Sequence, residues 1–176
     1  SSERMFGALA LPRWGRTAIG GACVGVIAIG LPAVTGNGFE AIRMLLDVSP
    51  GIGLILVLLV AKTVATCASV GSGTPGGVFT PSLFLGAALG AAFGVIAARV
   101  MGQEHIGASG GYALVGMAAV VGATTHAPIM AVVLAYELSG DYAIVLPLLI
   151  ATGTSTIVAR ALRRDSIYTA ELRRAG

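Results

Sequence analysis

Residues Gly71–Pro81 read GSGTPGGVFTP, a pattern that binds anions through backbone rather than through side-chain charge. Its four glycines and two prolines end any helix that reaches them. The flanks are apolar: ILVLLVAKTVATCASV leads in and SLFLGAALGAAFGVIAA leads out. In hydrocarbon such a break leaves N–H and C=O groups unpaired, at roughly several kcal/mol each. It survives where protein, water or a ligand satisfies those groups. A fresh helix starting after the break aims its first amides at one spot, which suits an anion. The pattern predicts a membrane protein with an anion site inside the bilayer.

Composition fits that reading. The chain of 176 residues is 56% hydrophobic and 11% charged, with a mean hydropathy of +0.90. Soluble domains carry about a quarter charged residues. The 26 glycines suit closely packed membrane helices. Cys23 and Cys67 lie in apolar runs and read as small hydrophobes, with no metal-ligand neighbour. Neither a metal nor a cofactor is expected. The opening SSERMFGALALPRWGR lacks the pattern of a signal peptide and reads as the continuation of something longer.

The apolar segments must position the break. A first span is expected over Thr17–Val34, a short helix over Phe39–Leu46, and a second span over Gly51–Val70 containing Lys62. A third starts after Pro81 and ends near Ala98; Gly86, Gly90 and Gly94 recur in it every four residues, baring one face for a neighbour. A polar loop, Arg99–Gly111, follows. Tyr112–Ala123 and Pro128–Leu138, joined by ATTHAP, are too short to cross and read as tilted or re-entrant pieces. Tyr142–Leu162 is longer. Behind it cluster Arg160, Arg163, Arg164, Arg173 and Arg174, which places the C-terminus in the cytoplasm. The net charge of +3 therefore calls for no nucleic-acid partner. The whole chain reads as one transmembrane region with no soluble regulatory domain.

In these motifs the chain resembles the CLC chloride channels and chloride/proton antiporters. Gly77-Val78-Phe79-Thr80-Pro81 is similar to the family's Gly-x-Phe-x-Pro signature. The likeness continues through GMAAVVGATTHAPIMAVVLAYELSGDYAIVLPLLIATGTSTIVARAL to SIYTAEL. The resemblance implies an all-α membrane protein of inverted-repeat fold with broken and re-entrant helices, here the second repeat plus the final helix. It implies chloride as the transported ion, a homodimer in a bacterial inner membrane, and a missing N-terminal half. It assigns the anion-binding roles to the amides of Val78 and Phe79 and the hydroxyl of Tyr168. Gly76, Gly77, Thr80 and Pro81 shape the site. Ser72 is not assigned as the family's chloride serine, and the gating Glu-Gly-Pro motif is not among these residues.

Chloride suits such a site, because amides, one hydroxyl and a helix dipole replace part of its water shell without a directional demand. Lys62 either snorkels to the surface or adds positive potential to an anion route. His126 is expected in a structural hydrogen bond, and Glu137 as a packing or capping carboxylate. The expected subunit contact uses Pro128–Leu138 and Tyr142–Leu162 through Ile129, Val132, Val133, Ile144, Val145 and Leu148. One alternative is a non-transporting half or assembly partner. A remoter one is an intramembrane serine protease: Gly107-Ala108-Ser109-Gly110 resembles the rhomboid motif, with His126 as base.

Overall fold

A computed structural model describes residues 13–34, 36, 38–47, 50–72, 77–102 and 109–175. In chain order its helices are α1 (Arg13–Gly30), α2 (Phe39–Asp47), α3 (Ile52–Gly71), α4 (Phe79–Met101), α5 (Ser109–Thr125), α6 (Pro128–Ser139), α7 (Val145–Leu162) and α8 (Ile167–Ala175). Short 3-10 turns at Pro32–Val34 and Tyr142–Ile144 join them, and no strand occurs among the described residues.

The local chemistry explains most boundaries. α1 stops at Gly30, short of the Val34 expected, because Pro32 brings no N–H and its ring clashes with the preceding turn. α4 begins at Phe79, two residues before Pro81, which lies in the first turn where its missing donor costs nothing. Its far end runs past Ala98 to Met101, so the loop expected from Arg99 is shorter. The loop loses residues at its other end as well, since α5 begins at Ser109. Pro147 likewise sits in the first turn of α7, behind the Tyr142–Ile144 turn capped by the Asp141 carboxylate, which accepts from Ala143 N at 2.9 Å.

Three stretches are long and apolar enough to cross a membrane: Ile52–Gly71, Phe79–Met101 and Tyr142–Ala170. The 23 residues of α4, at about 1.5 Å each, cover the roughly 30 Å hydrocarbon core. α5 and α6 are shorter, with 17 and 12 residues.

α4 and α5 form the centre. A Cβ on Gly86 would stand 2.6 Å from Gly116 O, one on Gly90 would run into Tyr112 O, and one on Gly94 would stand 3.1 Å from the Tyr112 ring. The four-residue stripe therefore seats α5 backbone against backbone. α6 and α7 pack on α5; α3 packs on α4, and α1 packs on α3. Phe84, Leu45, Ile55, Leu58, Met117, Val121 and Leu148 are fully buried. Leu56, Val57, Val60 and Val64 of α3 and Ile157, Val158 and Leu162 of α7 point outward, as a lipid-facing surface requires. Cys23 of α1 and Cys67 of α3 are exposed as well. Hydroxyls tie the helices internally: Ser155 Oγ crosses from α7 to donate to Ala119 O of α5 at 2.8 Å.

The six aliphatic residues expected at a subunit contact divide. Ile129 and Val133 are exposed, and Ile144 and Val145 are half-buried. Val132 and Leu148 are buried inside the subunit instead. α6 is apolar on every side, so sequence alone did not show which face turns inward.

Candidate anion site

α3 ends at Gly71 with Ser72 as its C-cap, and the next described residue after Ser72 is Gly77. Gly76, assigned a shaping role above, lies outside the described residues. Val78 is the N-cap of α4, at φ −87° and ψ −10°. Its carbonyl accepts from Ser82 N at 3.2 Å and from Ser82 Oγ at 2.8 Å. The amides of Val78, Phe79 and Thr80 have no acceptor among the described residues. That is the ordinary debt of a helix start, and Pro81 leaves no fourth N–H to satisfy. Gly77 is exposed, and a Cβ built on it meets nothing within 4 Å among the described residues.

Beside this turn lies a cavity of about 280 Å³. Its wall includes Gly77, Thr80 and Pro81 from the start of α4, Lys62 and Thr66 from α3, and Val34 from the turn after α1. Lys62 does not snorkel. It is 5% exposed, and its Nζ donates to Val34 O at 2.8 Å and Gly36 O at 3.1 Å. The ammonium also lies 6.0 Å from the centroid of the Phe84 ring. Thr66 Oγ1 is committed to Lys62 O at 2.8 Å, and Ser72 Oγ to Ser69 O at 2.8 Å. The wall thus joins a buried cation to Gly77, Thr80 and Pro81 of a helix start with unspent amides, a combination that favours a small anion. Val78 and Phe79 themselves are not on that wall.

Tyr168 is placed elsewhere. It is the second residue of α8, 47% exposed, behind the cap formed when Thr169 N donates to Ser166 Oγ at 3.2 Å. α8 rests on α5. Tyr168 is not on the wall of the cavity that Gly77, Thr80, Pro81 and Lys62 share.

His126 occupies the break between α5 and α6 with φ +59°, a left-handed conformation uncommon outside glycine. Its backbone carbonyl accepts from Arg160 Nη2 at 3.2 Å, a bond that does not involve the imidazole. Glu137 is exposed and caps no helix among the described residues. Ser109 opens α5 and His126 follows its end. The 17 residues between them span about 25 Å, far beyond the reach of a general base.

Val34 and Gly36 form a further wall of the site, one not expected from the sequence. The signal available was Pro32 inside an apolar run, followed by Gly36-Asn37-Gly38.

The family model described as "Voltage gated chloride channel" matches residues 1–160. A putative chloride channel protein ClcB-like from Ralstonia nicotianae is 42% identical over 176 residues, covering 98% of this chain and 41% of the relative. A voltage-gated ClC-type chloride channel ClcB from Escherichia coli is 42% identical over 172 residues, covering 94% and 40%. Among solved structures, a slow cyanobacterial Cl⁻/H⁺ antiporter superposes with a TM-score of 0.70 at 28% identity, over 77% of this chain and 32% of that one.

Proposed function

The chain belongs to the voltage-gated chloride channel family, and from that membership we propose that it is the second half of a membrane domain that carries chloride across a bilayer. It spans about two fifths of the length of the curated relatives it matches. A first half then supplies the rest of the pathway, including the gating glutamate. One observation carries the reading: the amides of Val78, Phe79 and Thr80 lack acceptors among the described residues, in the helix start whose Gly77, Thr80 and Pro81 wall a cavity together with the buried Lys62.

The ion rests on the amides of Val78 and Phe79, with Gly77, Thr80 and Pro81 shaping the approach. The hydroxyl of Tyr168 closes on the ion when α8 meets the missing half. Amides and one hydroxyl hold a chloride loosely enough to release it, which conduction demands. The protein works as a homodimer in a bacterial inner membrane. Its C-terminus is cytoplasmic, since Arg160, Arg163 and Arg164 are exposed together at the end of α7.

Chloride titration of the intact purified protein by calorimetry, paired with chloride efflux from reconstituted liposomes, tests this. Saturable binding with efflux supports it. Absence of both in folded protein overturns it.

A further inference from the structure

Lys62 sits in the middle of the described fold with no carboxylate partner among the described residues. Burying an ammonium without a counter-charge is costly. The carbonyls of Val34 and Gly36 offset part of that cost with their dipoles. The Phe84 ring adds a little from 6.0 Å. Full neutralisation needs an anion, and a cavity able to take one lies beside the amine, shared with Gly77, Thr80 and Pro81.

We propose that Lys62 is the fixed positive charge of the anion site, tethered by the carbonyls of Val34 and Gly36 so that it attracts the ion without gripping it. This rests on the anion reading above and names the residue that sets affinity within it. A free amine would swing to the ion and form a contact pair that holds too tightly to conduct. An amine committed to two carbonyls has a single N–H left and acts through its field, which a low-dielectric surround transmits well.

The test compares Lys62→Gln with Lys62→Met in the intact protein, reading chloride affinity by calorimetry and folding by thermal unfolding. Gln can still donate to the Val34 and Gly36 carbonyls but carries no charge; Met keeps the stem and loses both. The proposal expects both variants to bind chloride at least about tenfold more weakly. A merely structural tether would spare Gln and damage Met. Chloride affinity within twofold of wild type in folded Lys62→Gln overturns the proposal and leaves the anion site standing. Failure of the wild type to bind chloride would instead overturn the anion reading itself. Should Lys62→Gln not fold, Lys62→Arg replaces it. An affinity within threefold of wild type then supports the charge role, and a tenfold loss overturns it.

Discussion

Gly90 of α4 and Gly116 of α5 lie so close that a Cβ on Gly116 would stand 2.7 Å from Gly90 Cα and 2.5 Å from Gly86 O. Everything met at this crossing is backbone, which cannot rotate aside. The contact holds α4, and with it the helix start at Val78, at a fixed depth against α5.

Gly90→Ala is therefore expected to destabilise the intact protein by about 1–3 kcal/mol through overpacking, and Gly90→Leu to prevent folding. Thermal unfolding in detergent and the yield of membrane-inserted protein check this. Normal yield and efflux from Gly90→Leu would mean that the face looks at lipid.

Gly77→Val separates site from scaffold. The new side chain meets open space among the described residues, so folding is expected to stay near wild type while the branched carbons intrude beside the amides of Val78 and Phe79. Chloride affinity falls more than in Tyr168→Phe, where the lost hydroxyl is worth roughly 1.5–3 kcal/mol less what a replacing water recovers. Calorimetry on both variants decides it. Unchanged affinity in Tyr168→Phe would remove the tyrosine from the site.

A dimer contact through α6 should answer to its outward residues. Ile129 is 77% exposed and Val133 54%, so tryptophan at both is expected to split the dimer on sizing while each subunit stays folded. Tryptophan at the buried Val132 should unfold the subunit itself. An intact dimer from Ile129→Trp with Val133→Trp would place the contact elsewhere.

Thr156 Oγ1 is buried with no hydrogen-bond partner among the described residues. Thr156→Val keeps the shape and removes a stranded hydroxyl. Thermal unfolding should show it neutral or more stable by about 1 kcal/mol, whereas a clear loss would reveal an acceptor that forms only in the intact protein.

The break at Gly71–Pro81 and the stripe of Gly86, Gly90 and Gly94 were legible in the sequence because each is a local departure from composition. Pro81 announces the start of α4 for the same reason. The burial of Val132 and Leu148 was not legible. Apolar residues surround both helices on every side, so no periodicity marks an inner face. Nor was the role of Lys62, whose two acceptors come from a turn 28 and 26 residues upstream. A sequence shows a lysine in an apolar run, and only the returning chain shows what it holds.

The brevity of α5 and α6 governs how this chain can be built. α3, α4 and α7 are each long enough to settle in a bilayer as they emerge. The 17 and 12 residues of α5 and α6 are not, and their ends at His126 and Ala127 would meet hydrocarbon with groups unpaired. They must enter as a pair, leaning on a partner already in place, and the bare glycine face of α4 is the most closely fitted such surface made before them among the described helices. Biogenesis therefore runs in an order: α4 first, the short pair docked onto it, and α7 last, bringing Arg160 to the His126 carbonyl to fasten the pair.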